Sequence, residues 1–191
     1  MDQGSVNFAE HRVTKKVEGS YRTKRLLFRL GQFVFMLLPI IVGLSFKPLT
    51  LLIWMTPVFV LLGLKLGNVL FKRWLDIEYE YAIVAGELRA DTIYGNFRRV
   101  PMTSVRFRDM TAIAPMSDAS AKAVAEAADY VNRYEPISTM SHPNVHYGVY
   151  NNEKGDKCII FFEVNEKMVE QIKRFNPTAK VVWTKIDNYS K

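Results

Sequence analysis

Four arginines crowd one stretch of the chain, "FRRVPMTSVRFRD", at Arg98, Arg99, Arg106 and Arg108. A guanidinium presents a planar fork of N–H donors that fits phosphate or carboxylate oxygens. Arg106 and Arg108 fall on one strand face, and Arg98 and Arg99 lie on the strand before, so a sheet could gather all four into one anion-binding patch. Anionic lipid headgroups are the nearest ligand for such a patch, each basic residue adding about 1 kcal/mol near a charged surface. The competing reading is a solvated face in which the arginines pair with Glu87, Asp91 or Asp109, and the near-zero charge of this half of the chain favours it.

The other chemistry-bearing residues offer less. His142 and His146 have the i, i+4 spacing of a helical metal pair, but Pro143 between them opposes a continuous helix, and His11 stands far away near the N-terminus. The single cysteine, Cys158, excludes an intramolecular disulfide and a cysteine-rich zinc site, and within "KCIIFFEV" it reads as a small buried thiol. The sequence has no Gly-x-Ser-x-Gly elbow and no Walker loop. "YNNEKGDKCIIFFE" fails as a calcium loop, because setting Gly155 at the required glycine puts Tyr150 and Phe161 where carboxylates should bind, so the segment reads as a turn. "NYS" at 188–190 fits a glycosylation triplet that a cytoplasmic tail would never use. The expectation is no catalytic residue, no metal and no cofactor.

Charge decides what the basic pI of about 9.5 means. Of the net +7, roughly +8 lies before Leu75 and about −1 after it, and the positive residues flank oily segments. That is the distribution of the cytoplasmic ends of membrane helices and not of a nucleic-acid-binding face, so no nucleic-acid partner is expected. "LGQFVFMLLPIIVGLSF", Leu30 to Phe46, and "PLTLLIWMTPVFVLLGL", Pro48 to Leu64, carry no charge and are separated only by Lys47. Each sits at the short end of what spans a bilayer and is oily all round apart from Gln32, Ser45 and two threonines, where a soluble helix would show a polar face. Pro39 and Pro57 are expected to kink them. The Lys/Arg excess outside the pair predicts a hairpin in the plasma membrane with both termini cytoplasmic.

From residue 76 onward the pattern becomes that of a small α+β domain. Ile77, Tyr79, Tyr81 and Ile83 alternate with acids, and a two-residue turn at Ala85-Gly86 brings Leu88, Ala90, Thr92 and Tyr94 onto the same face. Gly95-Asn96 makes a second turn into "FRRVP" and then "SVRFRDMTAIA", with Pro101 expected at the corner between those strands. Ser117 to Val131 reads as a thin, alanine-lined helix. "NVHYGVY" and "KCIIFFEV" are two more strands, the second apolar on both faces and therefore central or covered. Asn165 is a helix cap, Val164 and Val169 occupy the staple positions, and Met168, Ile172 and Phe175 make the apolar stripe of a helix that "NP" at 176–177 ends.

At residue level "YEYAIVAGELRADTIYGNFRRVPMTSV", "DMTAIAP" and "IIFFEVNEKMVEQIKRFNP" resemble an uncharacterised family of clostridia-type bacterial membrane proteins bearing a pleckstrin-homology-like (PH-like) domain, over about Leu26 to Val182. The resemblance implies a membrane-anchored α+β protein: a transmembrane helical hairpin, then a PH-like antiparallel sheet or barrel with a closing C-terminal helix. The expected division is a flexible basic tail over 1–24, the hairpin over 25–75, the PH-like domain over 76–182 with a helical insertion at 117–132, and a tail over 183–191. No activity comes with the family. The expectation is a non-catalytic membrane-anchored scaffold that presents the domain to a protein partner. The alternatives are anionic-lipid recognition through the four arginines and an accessory role in a membrane enzyme or transporter. Homo-oligomerisation through Gly43, Ser45, Gly63 and Gly67 stays open.

Overall fold

The computed structural model describes residues 8–95, 97–127 and 129–185. They fall into two compact units, one of strands (8–16, 78–93 and 99–185) and one of helices (17–77 with 94–98).

The strand unit begins earlier than the sequence suggests. Phe8–Thr14, placed above in a flexible tail over 1–24, is strand β1, and it pairs antiparallel with β2, Ile77–Val84, from Phe8 opposite Val84 to Thr14 opposite Glu78. Ala9 and Val13 face the core. With a small residue and a histidine filling inward positions, the alternation carried too little hydrophobicity to stand out, and its strand character comes from pairing with β2. The domain is therefore discontinuous in sequence: the helical unit is inserted between its first two strands.

β2 turns into β3, Glu87–Tyr94, through Ala85 and Gly86, both at positive φ (50° and 82°), as a type I′ turn requires. Tyr79, Tyr81, Ile83, Leu88, Ala90 and Thr92 are all buried, the shared face expected from the alternation. β4, Arg98–Arg106, completes a sheet of order β1-β2-β3-β4. Pro101 lies inside β4 and not at a corner; β4 is an edge strand, where a missing N–H costs no ladder bond. Of the Gly95-Asn96 turn, Gly95 is at φ 49° and Asn96 lies outside the described residues.

The corner falls instead at a 3₁₀ turn, Phe107–Asp109, which splits the stretch read above as one strand. Phe107 is fully buried, its N–H donates to the Gly86 carbonyl (2.9 Å), and the Asn176 side chain donates to the carbonyls of Phe107 (2.8 Å) and Met110 (3.1 Å). β5, Met110–Pro115, then enters a second sheet with β6 (Asn132–Tyr134), β7 (Val145–Asn151) and β8 (Lys157–Glu163), in the order β5-β7-β8-β6 with β6 parallel to β8. This sheet is covered on both sides. Cys158, Ile160 and Phe162 of β8 join the core shared with Tyr81, Phe107, Met168 and Ile172, while Ile159 and Phe161 join Ala121, Ala125, Val145 and Tyr147 on the other face. That is why β8 is apolar on both of its faces from Cys158 to Phe162. The second face is covered by α3, Ala121–Glu126, much shorter than the helix expected over Ser117 to Val131, because Asn132 is drawn into β6; Ala128 lies outside the described residues. α4, Glu166–Phe175, starts at Asn165, whose side chain accepts from the Met168 N–H (2.9 Å), and buries Met168 and Ile172. Residues 186–191, with the triplet at 188–190, lie outside the described residues.

In the helical unit α1 runs Gly19–Ser45, and a 3₁₀ stretch, Lys47–Met55, leads into α2, Thr56–Leu75. Both stretches are long and apolar enough to cross a membrane, with mean hydropathy 2.0. Pro39 lies within α1, but Pro57 sits in the first turn of α2, where a proline costs no hydrogen bond and makes no kink. The small residues serve this chain's own packing. A Cβ on Gly63 would meet Met36, one on Gly67 would meet Gln32, and one on Gly43 would meet Ile53, so the Gly-x-x-x-Gly face considered above for homo-oligomerisation is occupied by α1.

Candidate functional site

Three of the four arginines have acidic neighbours. Arg99 ion-pairs with Glu80 and with Asp91 (3.8 Å), and Arg108 pairs with Asp109 (3.6 Å). Glu80 is buried, and its carboxyl is held below the usual range by a hydrogen bond from Glu10 and by the guanidiniums of Arg99 and Arg12; the same contact with Glu80 raises Glu10. Arg106 faces Glu87, whose carboxyl is held low by hydrogen bonds from Ser104 and Arg89 and by the charges of Arg89 and Arg106. Arg99 reaches Asp91 and Ser104 reaches Glu87, two acids on one face of β3, although 99 and 104 would face opposite ways in a regular strand. The alternation therefore slips by one residue between them, in the interval that holds Pro101. Arg106 and Arg108 do come together, lining a groove of about 370 Å³ beside the Ala85–Gly86 turn and Phe175. Arg98 is exposed and belongs with the helical unit.

A larger groove, about 800 Å³, runs between the edge strands β4 and β6, with Thr103 and Arg106 on one side, Asn132 and Tyr134 on the other and Tyr150 at its base. Its charges are mixed: Glu87, Asp109, Glu153 and Asp156 against Arg106 and Lys154. The Thr103 and Tyr150 hydroxyls share a hydrogen bond (2.8 Å), and burial pushes the Tyr150 phenol up to about 12, so it stays protonated. The arrangement suits polar contact with a surface better than proton transfer. The neighbouring turn is held by Asn152, whose side chain accepts from the N–H groups of Lys154 (2.9 Å) and Asp156 (2.8 Å).

The ionisable groups inside the strand unit are spent on structure. Glu163 accepts from the Ser138 N–H (2.5 Å) and faces His142 Nδ1 at 3.5 Å, and the buried Tyr81 hydroxyl donates to the Pro136 carbonyl, with burial raising its pKa. His11 stacks on Tyr81, its ring centroid 6.0 Å away; burial lowers its pKa against the opposing charge of Glu163. His146 is fully buried and its pKa is lowered by burial. Its Nε2 accepts from the Val182 N–H (3.2 Å), so Nδ1 carries the proton and donates to the Asn144 carbonyl (3.0 Å). Asn144 in turn exchanges two hydrogen bonds with Thr184 (3.0 and 2.8 Å), so His146 and Asn144 together clamp the segment after α4 onto the second sheet. Among the described residues no group of three or more His, Cys, Asp or Glu is placed to hold a metal ion.

The sequence shows Gln32 and Arg29 only as a polar exception and a flanking charge, and their link to Asn68 appears in the structure. Gln32 donates to the Gly63 carbonyl (2.9 Å), and Arg29 donates to Gln32 and to Asn68 (3.0 Å each). The available signal was Gln32 and Asn68 flanking an apolar run beside arginines.

In comparison with known proteins, a family model described as Bacterial PH-like domain (DUF6106) matches residues 6–182. Nothing among curated proteins or solved structures matches.

Proposed function

The chain belongs to the bacterial PH-like domain family, and from that premise we propose that it is a non-catalytic, membrane-anchored interaction protein. Its helices hold it in the plasma membrane, and its PH-like unit is offered to a protein partner on the cytoplasmic side. The observation that carries this reading is the surface of the helical unit. The most apolar windows of its two long helices are only 11% and 6% buried, and Leu44, Leu51 and Trp54 are among the large side chains left uncovered. Water does not tolerate a continuous apolar surface of that extent, whereas a bilayer requires it. The basic residues before Leu30 and after Leu64 support an orientation with both ends of the hairpin on the cytoplasmic side. The non-catalytic part rests on the use of polar groups in the strand unit: arginines engaged with acids, and histidines holding backbone. Anchoring raises the unit's effective concentration at the membrane, so a modest affinity for a partner suffices.

The test is affinity purification of the full-length protein from its native membrane in mild detergent, beside a control keeping only residues 17–77. A stoichiometric protein recovered with the full chain and lost in the control is the expected result. Recovery of the intact chain alone, with its strand unit folded by limited proteolysis, overturns the interaction role, and release of the chain by alkaline carbonate overturns the anchoring.

A further inference from the structure

Between Gly19 and Leu75 the chain has eight lysines and arginines and no aspartate or glutamate. Most of these cations extend into solvent, but Arg25 and Arg29 are drawn together. The Arg29 guanidinium carbon lies 4.1 Å from the centroid of the Phe71 ring, and that of Arg25 lies 4.7 Å from the same ring and 5.4 Å from the ring of Tyr21. Cation–π attraction favours each contact singly, yet two like charges on one ring repel. Neither arginine forms an ion pair with a carboxylate among the described residues.

The pair is also held in place. Nη1 of Arg29 donates to Gln32 Oε1 and Asn68 Oδ1, both at 3.0 Å, which fixes the plane of the guanidinium and leaves Nε and Nη2 to a further acceptor. Gln32 is itself pinned to the Gly63 carbonyl (2.9 Å), and Gly67 leaves no room for a side chain beside it. Depth follows from length: the uncharged run Leu30 to Phe46 makes about 25 Å of helix against a hydrocarbon core of about 30 Å. With the run a few ångströms short of the core, Arg29 stands at its edge, where local thinning brings a lipid phosphate within its reach.

We propose that Arg25 and Arg29, set by Phe71, Gln32 and Asn68, form a binding site for the phosphate of an anionic phospholipid at the cytoplasmic boundary of the membrane. The inference rests on the membrane reading above. A phosphate there relieves the repulsion between the two cations and takes the fork that Arg29 leaves open. Zwitterionic lipids bring a counter-cation of their own and satisfy the site less well.

The full-length protein is reconstituted into nanodiscs of phosphatidylcholine with and without phosphatidylglycerol, and the lipid retained on release is identified by native mass spectrometry. The wild type is expected to retain phosphatidylglycerol in preference. Arg25→Gln/Arg29→Gln should lower that preference about twenty-five-fold, taking each basic contact as worth about fivefold. Asn68→Leu, which frees Arg29, should lower it severalfold, and Lys47→Gln at the far end of the hairpin should leave it unchanged. Arg25→Lys/Arg29→Lys keeps the charge and loses the fork, and is expected to fall between wild type and the glutamine pair. An unchanged preference in the glutamine pair, incorporated with wild-type helicity, overturns the site. Displacement of the lipid by an equal concentration of inorganic phosphate overturns its assignment to lipid. Failure of the wild type to enter nanodiscs overturns the membrane reading itself.

Discussion

The helices α1 and α2 and the strand β8 are all rich in apolar residues, and they dispose of their apolar surface in opposite ways. Every residue from Cys158 to Phe162 is buried, split between two cores on either side of one sheet, whereas Leu44 on α1 leaves 73% of its surface uncovered. Apolar composition alone therefore does not say where a segment goes. What separates the two is partner supply: β8 has a strand on each side and covering elements on both faces, whereas within the helical unit each long helix packs against the other and the 3₁₀ stretch Lys47–Met55. The first is stabilised by exclusion of water within the protein, and the second is the surface that the proposed bilayer anchoring would cover.

Substitutions that remove the same atoms from both regions test that contrast most strongly. Phe162→Ala, at a fully buried position, is expected to cost the strand unit about 3–5 kcal/mol in denaturant melts of the detergent-solubilised protein. Phe33→Ala, on the exposed surface of α1, is expected to cost under about 0.5 kcal/mol in the same melt. Equal losses would break the comparison. Gly86→Ala should cost about 3 kcal/mol, because Gly86 holds φ 82° and a Cβ would meet the Phe175 ring at 2.6 Å, combining backbone strain with overpacking.

Acid should separate the units further. Burial lowers the His146 pKa below its ordinary 6.5, so the unfolded chain takes up the proton first. The stability involved is full above about pH 6.5 and is lost as pH falls toward the folded value, by at most about 1.4 kcal/mol per pH unit, and His11 acts with the same sign. Denaturant midpoints for the strand unit should drop between pH 7 and pH 5. His146→Gln should flatten that slope even though its midpoint at pH 7 is lower. The smallest effect is a gain: Ala85 is the non-glycine residue at positive φ in the β2–β3 turn, and Ala85→Asn should stabilise the unit by about 0.5–1 kcal/mol in the same melts.

Much of this was legible in the residues. The face shared by Tyr79, Tyr81, Ile83, Leu88 and Ala90, the two-sided strand at 157–163 and the Asn165 cap each announce themselves, because their signals are local. What stayed hidden depends on distant partners. β6 is three residues long and exists through its parallel pairing with β8. β1 takes its identity from β2, and the helix at 121–126 stops where β6 begins to pair. The arginines were visible as a set, but their acids could be assigned only once the slip in β4 had fixed which side chains share a face.

The insertion of the helices between β1 and β2 also puts a delay into the making of the protein. Thr14 leaves the ribosome long before Glu78, its partner across the ladder, and at 5–20 residues per second the wait is roughly 3 to 13 seconds. During that interval the helical unit is synthesised while β1 has nothing to pair with. The charged outer residues of that strand, Glu10 and Arg12, keep it soluble as it waits. Assembly of the sheet is thereby scheduled after the hairpin has been made.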